Sequence, residues 1–404
     1  MWICKKISLK GITMKLIWEY PLPTSEKSNE HQFEGTILAG ADYLYYAVKT
    51  ARTVTLHVVD THTGLGTVYQ FSRTEFIWVG PQNFFGFFHN GMAYYFTGDL
   101  HIFKGVQLIK TIPLSDNREF NTWLHRENRL YLAIGHRPFE KLLCIDLDAH
   151  EILWSLNIGS TKNYVAGALS FFEGNTLCYG LDHLLFVNPG DGTIEKKLKL
   201  PRIDKLFCPL RQEDGTLLIG YTNWSNAGVL CYDETTKKIL WRHKRQFQGP
   251  LGNCRLYPYG DKIYWTKNDT ELICLNRMTG EEINRVRTAP WRYTPLKFNG
   301  KHLLFGTSGA DGYLYCVDAD QCVVQWATPL KEGCAFFETQ NNQVYCGDYN
   351  KHLLCISLDD GTLHQTLPMD AEVIGDIEIC SKSLYTVIWG NEQKPIRLVK
   401  ISLD

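Results

Sequence analysis

No run of 18 apolar residues occurs in the 404-residue sequence, so no segment reads as a membrane-spanning helix. Nor is there an excess of one charge. The 42 Lys and Arg stand against 43 Asp and Glu, a net of −1, which argues against a broad nucleic-acid footprint. Absent too are GxSxG, HExxH, P-loop and paired CxxC motifs, and the 13 histidines are scattered singly. The opening MWICKKISLKGIT carries lysines but no apolar h-region, so it does not read as a secretory signal. Residues 1–13 are expected to be a leader or disordered extension, with Met14 the natural start and residues 14–404 one domain. Low-complexity tracts are missing as well, and with 13% aromatic residues the chain has ample apolar surface for a core.

What the sequence does contain is a repeat. An apolar strand runs into a polar turn at Asp60, Lys104, Asp146, Asn188, Asp233, Asn276, Asp318, Ser357 and Ser402, with gaps of 44, 42, 42, 45, 43, 42, 39 and 45 residues. Four residues before each turn stand Leu56, Leu100, Leu142, Leu184, Val229, Leu272, Leu314, Leu353 and Leu398. The residue directly before it is again apolar, as in Val59, Ile145, Val317 and Ile401. Two residues before it lie Cys144, Cys231, Cys274, Cys316 and Cys355, while Cys208, Cys254 and Cys334 share a slot in another strand. Equivalent slots of separate repeats are far apart, so these cysteines read as small buried hydrophobes with free thiols, which suits a reducing cytosol.

Within one repeat, residues 295–330 give an apolar stretch, the turn Asn299–Gly300, then HLLFGTS, YLYCVDA and VVQWATPL, which is four antiparallel strands. Four-stranded sheets repeated at so even a period predict an all-β fold, a single closed β-propeller. The segments LLCIDLDAHEILW, VLCYDETTKKILW and LYCVDADQCVVQW resemble the PQQ-like repeat of quinoprotein-type propellers, pairing Asp146 with Trp154, Asp233 with Trp241 and Asp318 with Trp326. Other repeats place Lys196 or Asn284 in the Trp slot. A working quinoprotein dehydrogenase of that family implies a signal peptide, an adjacent cysteine pair and calcium ligands. No two cysteines are adjacent here, so no cofactor is expected, and DLDAHE, NPGDGTIE and SGADG lack the spaced oxygens of a calcium loop.

The C-terminal RLVKISLD stops where every other repeat turns into its outer strand, while KLIWEYPLP carries Trp18 in the Trp slot. The expectation is that residues 15–23 pair with residues 396–404 and close the ring, which makes nine blades, with eight as the alternative count.

Turns between the first and second strands, such as Asn90–Gly91, Gly174–Asn175, Asp214–Gly215, Gly260–Asp261 and Asn341–Asn342, are tight. The connections at the opposite end, from each outer strand to the next inner strand and from second to third strand, are expected to be longer and to form a binding face. They carry Phe76, Trp78, Arg118, Phe120, Trp123, Tyr164, Arg202, Trp224, Arg245, Phe247, Trp291, Arg292, Tyr293 and Trp389, the residue types of interface hot spots. Packing between blades is the competing use for each of these aromatics. The functional expectation is a cytosolic, non-enzymatic protein that binds another protein, as a scaffold, an inhibitor or an immunity-type antidote to a toxin or effector. The alternative is a propeller enzyme or carbohydrate-binding protein with carboxylates from separate blades meeting in the central channel.

Overall fold

A computed structural model describes residues 13–22, 37–49, 53–72, 85–114, 120–134, 140–158, 169–180, 182–201, 203–207, 209–223, 226–246, 256–267, 271–287, 296–373, 376–390 and 394–403. Every regular element among them is a β-strand. Each repeat forms an antiparallel meander from an inner to an outer strand. In the repeat that turns at Asn276, Tyr257–Tyr259, Lys262–Lys267, Glu271–Asn276 and Glu282–Arg287 pair in chain order.

The third strand ends at or beside the turn-opening residue in each repeat: at Asp60, Lys104, Asp146, Val187, Asp233, Asn276, Asp318, Ser357 and Leu403. Burial explains the aliphatic slot four residues earlier. Leu56, Leu100, Leu142, Leu184, Val229, Leu314, Leu353 and Leu398 are all 0% exposed and Leu272 is 1% exposed. The five cysteines that share a slot are buried with free thiols.

Neighbouring sheets pack face to face through apolar clusters. Tyr94, Leu100 and Ile102 meet Leu130 and Leu132, and Leu184 and Phe186 meet Leu217 and Ile219. The chain termini use the same arrangement. Met14–Pro21 pairs with Arg397–Leu403 from Met14↔Leu403 to Pro21↔Arg397, supplying the outer strand that the C-terminal repeat lacks. That sheet packs on the first one, where Tyr385, Val387 and Leu398 meet Tyr46 and Val59. Arg397, 2% exposed, lies 3.2 Å from Glu19 through its Nε, and Lys394 Nζ lies 3.0 Å from the same carboxylate. Burial raises the Glu19 pKa, but the bonds from Lys394 and Arg397 outweigh it and hold the carboxyl below its usual range.

The Trp slot is a seam between sheets. Trp18, Trp154, Trp241 and Trp326 donate their indole N–H to the turn carbonyls of Thr61, Pro189, Met278 and Leu358 in the next repeat, at 3.1, 3.1, 2.7 and 2.9 Å. Each ring lies against a glycine four residues past that turn's opening residue: Gly64, Gly192, Gly280 and Gly361. A Cβ on Gly361 would stand 2.7 Å from the Trp326 ring, and its φ of 71° is left-handed, so two constraints select glycine there. Where the slot holds Lys110, Lys196 or Asn284, the corresponding turn residue is His150, Lys237 or Cys322. The Asn284 amide then donates to the Cys322 carbonyl at 2.7 Å in place of an indole.

The outer strands are sheet edges, and a bulge recurs in most of them. The register slips at the same step of the third strand, between Ile102/Phe103, Cys144/Ile145, Cys231/Tyr232, Cys274/Leu275 and their equivalents. The extra residue is Ile109, Leu153, Leu240 or Ile283, exposed by 44, 41, 53 and 45%. A bulge twists an edge away from edge-to-edge pairing, which protects a fold with this many outer strands.

Two expectations need correction. Connections between second and third strands are not generally long: residues 97–99, Thr307 alone, and residues 349–351 suffice in three repeats. No loop separates the repeats that turn at Asp318 and Ser357. A single strand, Val323–Gln340, serves as outer strand of one and inner strand of the next, joining them in a seven-stranded sheet. Ser308 pairs with Gly333 and the Cys334 N–H donates to the Thr307 carbonyl at 2.9 Å, which carries the ladder across the junction. Cysteines from unlike slots also come together, as Cys322 lies beside Cys274 and accepts the Tyr264 hydroxyl at 3.0 Å. The bond from Cys274 leads the causes that bring the Cys322 thiol down to about 7, and the Cys274 thiol goes up.

Candidate functional site

Antiparallel meanders place the outer-to-inner connections and the second-to-third connections at the same end of every sheet. Phe76, Trp78, Arg118, Tyr164, Arg202, Trp224, Phe247, Trp291, Arg292 and Tyr293 lie outside the described residues. Of the remaining candidates, Phe120 opens the inner strand Phe120–Arg126, pairing with Ile134. Trp123 sits inside that strand rather than in a loop. Its ring stacks on Phe87 at 5.7 Å and 18°, within the cluster between the Lys104 and Asp146 repeats. Arg245 belongs to the outer strand Lys238–Gln246 and is paired with Glu282 of the next sheet.

Among the described candidates, Trp389 is exposed to solvent. It follows the second strand Ser383–Ile388 and is 44% exposed, and its backbone N–H donates to the Glu372 carbonyl at 2.8 Å. The backbone is therefore anchored at the looped end.

The inner strands bring together a second group. Lys297 Nζ donates to Glu338 Oε2 at 2.6 Å and to the Phe337 carbonyl at 3.1 Å, and it lies 5.4 Å from the Phe337 ring centroid. Glu378, on the inner strand Glu378–Cys380 of the following repeat, has its pKa pushed up to about 7 by burial, then by the neighbouring Glu338 and Asp376 carboxylates. Burial also raises Asp376. The three inner strands thus hold one ion pair beside two carboxyl groups, Glu378 and Asp376, whose pKa values burial raises. Near neutrality Glu378 can donate or accept a proton while Lys297 compensates the charge of Glu338. Sequence reasoning named no residue here, because the members come from different repeats and no linear spacing joins them. Among the described residues no group of three or more His, Cys, Asp or Glu is arranged to hold a metal ion.

Comparison with known proteins adds the following. Residues 225–349 match the PQQ-like repeat family described as outer membrane protein assembly factor BamB. No curated protein sequence matches the chain. A quinohemoprotein alcohol dehydrogenase from Pseudomonas putida HK5 superposes with a TM-score of 0.57 at 10% identity, covering 99% of this chain and 78% of that one. The quinohemoprotein alcohol dehydrogenase of Comamonas testosteroni gives 0.55 at 10% identity over 96% of this chain and 76% of its own. The computationally designed Ika8 protein gives 0.52 at 12% identity over 78% of this chain and 94% of its own. At such identities the likeness speaks for the fold alone. It shows an all-β propeller fold, within which residues 225–349 match the PQQ-like repeat.

Proposed function

We propose that this propeller is a non-enzymatic binding protein that holds a protein partner against its looped end, in the manner of a scaffold, an inhibitor or an immunity-type antidote. The observation that carries this reading is Trp389. It is 44% exposed at that end, whereas Trp123, Trp154 and Trp326 are taken up in packing between sheets. Tryptophan is among the residue types that dominate interface hot spots. The buried, free thiols favour a reducing compartment. The tagged chain, purified from its native host, should bring down a stoichiometric protein identified by mass spectrometry. Trp389→Ala should then weaken that complex by about 2 kcal/mol or more without lowering the melting temperature. Retention of full affinity by this variant would remove the assignment of the face.

A second reading rests on the inner-strand group. Glu378, with its raised pKa beside Glu338, matches what a channel-centred hydrolase or carbohydrate-binding site requires. Turnover or glycan binding that is abolished by Glu338→Gln and Glu378→Gln, with Trp389→Ala silent, would favour it over the first.

A further inference from the structure

The outer strand Lys238–Gln246 stands apart from the other edges. Its sequence KILWRHKRQ holds Lys238, Arg242, Lys244 and Arg245 and no acidic residue. By contrast, the outer strand Glu151–Asn157 holds one acid and no base, and Gly66–Ser72 and Leu363–Pro368 carry no Lys, Arg, Asp or Glu. It is also an edge, pairing on one side along Asn226–Asp233 and ending the order of its sheet.

The cations divide between its two faces. Arg245 and His243 turn toward the next sheet and are engaged by Glu282, at 3.3 Å for His243. Arg242 turns the other way, lying 5.1 Å from the Tyr221 ring centroid, and Tyr221 belongs to the cluster shared with the preceding sheet. The ladder is uninterrupted from Trp241 to Gln246, so Lys244 shares the face of Arg242. Both are exposed, and neither has an acidic partner among the described residues. Across the seam stands Lys196, which occupies the Trp slot of the preceding repeat and pairs with Glu234. This seam has no indole to fill it; Glu234 there is taken up by Lys196 and Arg211, while Arg242 and Lys244 stand exposed along the strand edge.

We propose that this edge docks an extended acidic segment of a partner protein as an added strand, with its carboxylates on Arg242 and Lys244. Alternate residues of a strand repeat at about 7 Å on one face, so acids at every second position of the incoming strand fall opposite Arg242 and Lys244. The unpaired backbone of the edge supplies the ladder bonds, and the charges select the sequence. The proposal is independent of the looped end.

A fluorescein-labelled peptide of sequence Thr-Glu-Thr-Glu-Thr-Glu-Thr, followed by anisotropy, tests it. Binding to the whole chain should weaken steeply between about 50 and 500 mM salt. It should fall about tenfold or more in Arg242→Gln/Lys244→Gln, whose melting temperature stays that of the parent, and be unchanged in Trp389→Ala. A peptide with two threonines replaced by proline, which cannot donate to a ladder, should also lose about tenfold. Three results would overturn the proposal: no binding to the parent chain, equal binding by the Gln variant, or equal binding of the proline peptide. The last would mean a diffuse anion patch. Stronger competition by oligothymidylate than by the unlabelled peptide would likewise assign the edge to another polymer.

Discussion

Two kinds of seam join the sheets of this propeller, and they solve one packing problem in different ways. At the seams of Trp18, Trp154, Trp241 and Trp326 an indole crosses to the next sheet, donates to its turn carbonyl and rests on a glycine. At the seams of Lys196 and Asn284 the indole is replaced by a polar chain, and the turn residue facing it is Lys237 or Cys322 instead of glycine. Both positions of the pair change together. The aliphatic slot of the third strand stays fully buried on both sides, so the core carries the fold and the rim is free to vary. The indole seams are sealed; the Lys196 seam is the one beside which exposed Arg242 and Lys244 accumulate.

The seam that joins the two ends of the chain offers the most severe test. Removing residues 14–21 takes away a strand paired along Arg397–Leu403, the buried Met14, and the Trp18 contact with the first sheet. We expect a loss of more than about 5 kcal/mol, enough to abolish a cooperative transition in a fold of ordinary stability. Chemical denaturation of the shortened chain measures it, and a parent-like midpoint would show that the terminal strand is an accessory.

Next in size are substitutions that compare sealed and polar seams directly. Trp326, 8% exposed, should cost about 3–5 kcal/mol on replacement by alanine, through lost burial and an orphaned Leu358 carbonyl. Gly361→Ala at the same seam meets both the indole and a φ of 71°, and should cost about 1–3 kcal/mol. Asn284→Ala removes the one hydrogen bond it makes across a polar seam, together with a local bond from the Arg285 N–H, and should cost about 1 kcal/mol. Urea midpoints of the three variants give the order; an Asn284 effect equal to that of Trp326 would erase the distinction between the two seams.

Much of this was legible in the sequence, because a repeat states its physics several times over. The Leu slot, the cysteine slot and the Trp slot each recur at equivalent positions, and their burial follows from one geometry. The pairing of Trp18 with the C-terminal repeat was legible for the same reason. The partner of each Trp was equally present in the sequence, as a glycine four residues past the next turn's opening residue, and was overlooked because it lies a full repeat away. Trp123 was misplaced in a loop because the inner strand, Phe120–Arg126, carries polar residues between its apolar ones. The junction at Lys331–Glu332–Gly333 reads as a turn, with Glu332 at φ 60°, yet the strand passes through it. The group of Lys297, Glu338 and Glu378 had no signature at all, since only tertiary structure places three repeats side by side.

The smallest expected effect separates the inner-strand group from the seams, because it depends on pH and theirs do not. Glu378 has a folded pKa raised from 4.5 to about 7, chiefly by burial and then by Glu338 and Asp376. In the unfolded chain its carboxyl ionises near the ordinary value, so below that value both states hold the proton and the contribution to stability is fully present. As pH rises toward 7 the unfolded state gives up its proton first and gains free energy from doing so. The contribution is therefore lost across the window from about 4.5 to about 7 and stays lost above it. Because Glu378 keeps partial contact with solvent, screening reduces the effect below the full linkage value. Thermal melts of the parent chain from pH 5 to pH 8 should show a decline that Glu378→Gln flattens, while Asn284→Ala and Trp326→Ala shift the curve without changing its slope. An unchanged slope in Glu378→Gln would place the proton elsewhere, on Asp376 or on a group shared among the three carboxyls, and would withdraw Glu378 as the acid of a channel site.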